Sequence, residues 1–192
     1  MSNFNKIVVI GAGVMGQGIS SHIANSNRKV VLLDLKGKEN PNEISERAID
    51  LIKKSDPPWL VEKSRIDNIQ PGNLEDDFSE VKDADWIIEV VSEIIDIKHN
   101  LFDKIDKIRD PKSIVSSNTS TIPLKVLTEK MSDQMKSDFC ITHFFNPVRF
   151  MRLLEIVETP QMNQNKMKSL RAFCKDELGK GIVDCNDTVG FI

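Results

Sequence analysis

The 192-residue chain has no apolar run near the roughly 18 residues that a membrane-spanning helix requires. It also has no basic excess. Its 26 lysines and arginines against 29 aspartates and glutamates leave a net charge of −3, which gives no bulk attraction for a nucleic-acid backbone. Cysteines are few: Cys140, Cys174 and Cys185 are odd in number, lack metal-ligand spacing and sit beside apolar residues, as reduced structural thiols in a cytoplasmic protein do. No internal repeat or low-complexity segment occurs. The opening MSNFNKIVVIGAG runs straight into a strand pattern, without the charged, apolar and cleavage regions of a secretory leader. What is there, 40% hydrophobic and 29% charged residues, suits one globular domain with a buried core. The expected setting is the cytoplasm, with neither nucleic acid nor a membrane as partner.

Apolar β-rich runs alternate with helical spacing, the pattern of a Rossmann-like, doubly wound and mostly parallel sheet with helices on both faces. Lys6–Ile10 is a continuous apolar strand, followed by a helix from Val14 to Ser26 and a strand over Lys29–Asp34. Asn42–Lys54 carries apolar residues at helical spacing and stops at Asp56-Pro57-Pro58. The less regular Trp59–Asn73 holds a short helix and a short strand near Ile66–Ile69. Further strands are expected at Asp85–Val91, Ser113–Ser117, Phe139–Phe145, Leu153–Val157 and Gly181–Cys185, with helices at Ile97–Ile108 and Asn165–Leu178. The chain closes on Asp187-Thr188-Val189-Gly190-Phe191-Ile192, an apolar end without a turn signal, so the natural chain is expected to continue beyond it.

Gly11-Ala12-Gly13-Val14-Met15-Gly16 lies between the first strand and the first helix. Gly11 allows the tight turn, Gly13 lets a pyrophosphate reach the backbone, and Gly16 lets helix and strand pack closely. Free N–H groups and the positive dipole end of the helix then face the phosphates. Val14 and Met15 line the same loop and are read as packing residues along the cofactor. Asp34 ends the second strand, 23 residues after Gly11. A carboxylate there accepts both ribose hydroxyls and repels a 2′-phosphate, which favours NAD over NADP; Lys36 nearby works weakly against that choice. A flavin dinucleotide remains an alternative for the glycine fingerprint alone.

Only three histidines are available as a base. His22 and His99 fall within helices and read as partly exposed helical residues. His143 instead ends a strand at the carboxyl edge of the sheet, where open α/β folds bind ligands. Glu155, on the next strand, is placed to lie beside the imidazole, fix its tautomer and raise its pKa. Ser117-Asn118-Thr119-Ser120 supplies hydrogen-bonding groups at the same edge. Glu93 and Lys98, by spacing alone, could be an ordinary surface ion pair.

GAGVMGQGI, IIEVVSEIIDIK, SSNTST, THFFNPVRFMRLLEIV and the closing DTVGFI occur in that order and span nearly the whole chain. Together they resemble the NAD-binding domain of 3-hydroxyacyl-CoA dehydrogenases, and the wording around Asp85–Val91 and Asn146–Phe150 is most similar to the long, fused fatty-acid oxidation forms. The resemblance implies an NAD-dependent oxidation of L-3-hydroxyacyl-CoA to 3-oxoacyl-CoA in fatty-acid β-oxidation. It implies that His143 is the base, Glu155 its partner, and Ser120 and Asn146 the groups that hold the substrate oxygen and position the nicotinamide. Glu93 and Lys98 would contact the nicotinamide side of the cofactor. Val189 stands where the family has proline. The resemblance further implies a helical C-terminal domain outside these residues that closes over the acyl-CoA and forms a homodimer, so that residues 1–192 alone would bind NAD and turn over weakly. Lys53 or Lys54 could meet a CoA phosphate or merely end a solvated helix. A related dehydrogenase of a non-CoA hydroxy acid, and a module that senses NAD without turnover, stand as alternatives.

Overall fold

The computed structural model describes residues 4–188 and 190. Val189, Phe191 and Ile192, on which the apolar-terminus reading rests, lie outside the described residues. Strand β1 (Lys6–Ile10) reads KIVVI, and its last four residues are buried because it lies between two parallel neighbours and under helices on both faces. Each aliphatic side chain so buried contributes about 1.5–3 kcal/mol of transfer free energy. Helix α1 (Val14–Asn25) returns the chain over one face to β2 (Lys29–Asp34). Helix α2 (Glu43–Lys53) leads through a 3-10 turn at Lys63–Asn68 to β3 (Ile69–Asn73) at the sheet edge.

The second half begins on the other side of β1. Strand β4 (Trp86–Glu89) is followed by α3 (Ile95–Ile108) and β5 (Ile114–Ser117). The one-turn helices α4 (Leu124–Leu127) and α5 (Asp133–Lys136) then lead to β6 (Phe139–Phe144). Strand β7 (Leu153–Glu158), helix α6 (Gln164–Ala172), a π turn at Phe173–Glu177 and β8 (Gly181–Asp184) complete the order. The eight strands form one sheet in the order β3-β2-β1-β4-β5-β6-β7-β8. All pairs are parallel except β6 with β7, so the mostly parallel, doubly wound sheet expected from the sequence is present. The strand order reverses between β1 and β4, which places a crevice at their carboxyl ends.

Trp86 anchors the junction of these halves. Its ring meets Phe4 and Phe173 edge-on, and Phe144 lies 6.4 Å away. Its Nε1 donates to Ser116 Oγ at 2.9 Å, and Thr142 Oγ1 donates to the same oxygen at 2.8 Å, so β4, β5 and β6 are tied by side chains within the core. The expected strand over Asp85–Val91 is shorter, because Val90 and Val91 leave the ladder to cross above Gly11. The expected helix over Asn165–Leu178 changes to π geometry after Ala172, which turns the adjacent Phe173 and Cys174 both inward. Cys140 and Cys174 are buried, and burial pushes both thiols up, Cys174 to about 12. No described helix is long and apolar enough to cross a membrane.

The reading of His99 as partly exposed is corrected here: it is buried, with Nε2 against the Val126 carbonyl at 2.8 Å. His22 is partly exposed on α1, as expected, with Nε2 against the Leu178 carbonyl at 2.9 Å. Burial, and then the nearby Lys180 ammonium, lower the His22 pKa to about 4. The unfolded chain takes a proton there near the ordinary value of 6.5, whereas the folded chain resists it until about 4. Acidification through that window therefore favours unfolding, by up to about 3 kcal/mol at its lower end. In urea titrations run from neutral pH down to pH 4, His22→Gln should flatten this part of the stability loss; parallel curves for the variant and the wild type would contradict the assignment.

Candidate active site

At the β1–α1 turn, Gly11 has φ +115°, and a Cβ there would lie 2.6 Å from the Val90 carbonyl oxygen. A Cβ on Gly16 would lie 1.8 Å from the Gly11 oxygen, so only glycine lets α1 come this close to β1. Gly13 differs: a Cβ on it meets nothing within 4 Å, and it opens α1 without any side-chain cap. An open cradle above uncapped helix N–H groups is the form a pyrophosphate site takes. Val14 stands exposed at the rim and Met15 is half-buried against the core.

Two clefts meet at this turn, both lined by Gly13, Val90 and Val91. The first, about 530 Å³, runs past Gly11, Asp34, Leu35, Phe78 and Leu101. Asp34 Oδ2 accepts from the Ala12 N–H at 2.5 Å and Oδ1 from the Leu35 N–H at 2.6 Å, which fixes the carboxylate at the cleft edge. The ammonium of Lys36 is turned onto Asp76 at 2.9 Å and Glu75 at 3.6 Å. The apolar walls fit an adenosine and the carboxylate a ribose diol, so the residues present fit a dinucleotide. Lys53, by contrast, pairs with Asp50 of its own helix at 3.2 Å.

The second cleft, about 450 Å³, is lined by Glu93, Lys98, Asn118, Thr119, Ser120, His143, Phe145 and Asn146, along with Val14 and Met15. His143 lies directly opposite Glu155 in the antiparallel β6–β7 register, and its Nδ1 donates to Glu155 Oε2 at 2.7 Å. Glu155 is buried, and the His143 ring packs on Phe145 with centroids 4.4 Å apart. Asn118 Oδ1 accepts from the Phe144 N–H at 2.9 Å and ties the end of β6 to the Ser120 loop. The loop that carries Asn146 is held from beneath by Lys180, whose Nζ donates to the carbonyls of Val148 and Met151. Burial lowers the Lys180 pKa to about 8.

Glu93 and Lys98 are together, but not as a surface pair. Lys98 is 1% exposed and bridges Glu89 at 2.7 Å and Glu93 at 3.2 Å. Glu93 Oε1 also accepts from Thr119 Oγ1 at 2.8 Å and from the Ser120 N–H at 3.1 Å. Glu89, fully buried, had no role in the sequence reading. Its Oε1 accepts from Lys98 and the Val91 N–H, and its Oε2 from Ser117 Oγ at 2.5 Å. Burial pushes its carboxyl up, and the Lys98 ammonium, the Ser117 hydroxyl and the Val91 N–H work against that rise. The signal was a lone acid inside the apolar run WIIEVV. A charge in so apolar a strand requires a partner, and the helical turn that begins at Ile95 brings Lys98 to it.

The profile of the family described as 3-hydroxyacyl-CoA dehydrogenase, NAD binding domain, matches residues 6–188. The chain belongs to this family. A Rickettsia felis protein that carries the name of a fatty acid oxidation complex trifunctional enzyme is 45% identical over all of the chain, which spans 27% of that protein. The mitochondrial hydroxyacyl-coenzyme A dehydrogenase of Rattus norvegicus is 33% identical over 97% of the chain, which covers 60% of it. The crystal structure of 3-hydroxybutyryl-CoA dehydrogenase from Escherichia coli superposes with a TM-score of 0.85 at 27% identity, over 99% of this chain and 40% of that one. NAD is thus the dinucleotide of this 3-hydroxyacyl-CoA dehydrogenase domain. Because Gly13 is an N-cap with open space above it, Gly13→Thr should leave the thermal midpoint nearly unchanged while weakening NAD binding by about tenfold or more. Undiminished NAD affinity, read by calorimetry, would contradict the cradle.

Proposed function

We propose that this chain supplies the NAD site and the proton-accepting base of an L-3-hydroxyacyl-CoA dehydrogenase of fatty-acid β-oxidation. The observation that carries the reading is the His143–Glu155 pair at 2.7 Å, set in a cleft continuous with the dinucleotide cradle. Bound NAD supplies the hydride acceptor. With Nδ1–H given to Glu155, Nε2 is the nitrogen that takes the proton of the substrate 3-hydroxyl as the C3–O bond becomes a carbonyl. Glu155 stabilises the imidazolium that results. Ser120 and Asn146 hydrogen-bond the substrate oxygen and orient the nicotinamide, and Glu93 and Lys98 line the nicotinamide end. Gly13 receives the pyrophosphate in the turn that Gly11 and Gly16 shape, with Val14 and Met15 packing beside it, and Asp34 takes the adenosine ribose.

The opposite wall of the acyl-CoA site comes from a further helical domain, through which the enzyme dimerises, so this domain alone binds NAD and turns over weakly. The chain spans only part of its relatives, 27% of one and 60% of another, which supports this division. The cysteines form no disulfide among the described residues, in keeping with work in the cytoplasm. With acetoacetyl-CoA and NADH, the full-length protein should consume NADH absorbance, and His143→Gln should lower kcat by about a hundred- to ten-thousandfold. Equal rates for the two proteins, or no turnover by the wild type, would overturn the proposal.

A further inference from the structure

Lys98 lies between two carboxyl groups, and both oxygens of the buried Glu89 accept, from the Lys98 ammonium, the Val91 N–H and the Ser117 hydroxyl; with that all-donor surrounding Glu89 is ionised, and the group Glu89–Lys98–Glu93 carries two negative charges and one positive. Two of its three members are sealed from water, with Lys98 and Glu89 at most 1% exposed. Charges so placed are weakly screened, and their excess is felt across the cleft floor. Of the residues that line this cleft, Glu93, Lys98 and His143 are the ones with titratable side chains. Behind His143 stands Glu155, a further carboxylate. Lys98 is the one ammonium among the lining residues, against the Glu93 carboxylate on the wall and the Glu89 and Glu155 carboxylates behind it.

Hydride must pass between the substrate carbon, whose oxygen His143 serves, and the nicotinamide, so the ring has to enter this same cleft. That ring is cationic when oxidised and neutral when reduced. A fixed negative surplus therefore acts on one redox state of the cofactor and not on the other. Resting on the proposed function, we infer that Glu89 sets the balance between oxidised and reduced cofactor. It leaves the Lys98–Glu93 pair with a net negative charge and so favours NAD+ over NADH at the nicotinamide end.

Glu89 has no place on the cleft surface and touches no substrate; it is a positioning residue acting through Lys98 and Ser117. Its geometry serves the same end. Oε1 holds the Lys98 ammonium against Glu93, and Oε2 holds Ser117 at the start of the loop that carries Ser120. If Glu89 were only a packing residue, its loss would weaken both cofactor forms alike. If its charge is what matters, the two forms separate.

The test is the ratio of dissociation constants for NAD+ and NADH, measured by calorimetry on the full-length protein without substrate. Glu89→Gln keeps the shape and removes the charge. NAD+ should bind about tenfold more weakly while NADH binding stays within about twofold of the wild type. Glu93→Gln, which changes a side chain partly open to solvent, removes the same charge at less risk to folding and should shift the ratio in the same direction. Ser117→Ala breaks a hydrogen bond to Glu89 without altering charge, so any weakening it brings should fall on both forms alike and leave the ratio unchanged. Parallel weakening of both forms, or an unchanged ratio, in Glu89→Gln would overturn the inference; if that variant does not fold, the same result in Glu93→Gln does so. A wild-type protein that binds neither form would overturn the proposed function itself, and this inference with it.

Discussion

Reversal of strand direction between β6 and β7 sets the whole active-site geometry. In an antiparallel pair, directly opposed residues project to the same face, so the register that aligns His143 with Glu155 puts imidazole and carboxylate side by side. The remaining contacts preserve that register. Asn118 fastens the end of β6 to the loop after β5, and Lys180 reaches up from the start of β8 to hold the carbonyls of the reversing loop. Core ties from Trp86 through Ser116 to Thr142 keep the strands beneath at fixed height.

A second constraint comes from the cost of burying charge. An isolated carboxylate or ammonium does not stay ionised in an apolar core, and buried carboxylates here are met by opposite charge and donors, while the buried Lys180 has only carbonyls as partners and a lowered pKa. Glu89 with Lys98 is one such site, at the carboxyl end of the sheet where ligands enter. Asp138 is another, at the amino end of β6, where it accepts from Arg109 at 2.9 Å and also meets Lys166. The two clusters resemble each other chemically but differ in place. The first borders a cleft and the second braces the far edge, so position in the sheet, not the chemistry of the pair, separates a site from a strut.

Local signals made much of the fold legible in the sequence. β1, β2 and α1 were readable because a continuous β-branched run, a glycine turn and a helical repeat follow one another without interruption. His143 and Glu155 were readable because both sit on strands with clear patterns and stand twelve residues apart. Spacing alone left Lys98 open to reading as half of a surface pair, because DIKHN looks like a solvated helix face until the partner Glu89 is known to lie beneath it. Helices α4 and α5, four residues each, are too short to show a periodicity. The π turn after Ala172 leaves no compositional trace, since it depends on the core that Phe173 and Cys174 fill. These omissions are tertiary in origin, and they lie away from the strand ends where His143 and Ser117 stand.

The proposed function comes down to one transfer, from the carbon whose hydroxyl His143 would deprotonate to a nicotinamide in the cleft beside it. The most direct measurement follows that hydrogen. When the full-length protein oxidises (3S)-3-hydroxybutyryl-CoA deuterated at C3, the deuterium should appear in the reduced nicotinamide and none in water. Deuterium released to solvent, or acetoacetyl-CoA formed without labelled NADH, would contradict the account.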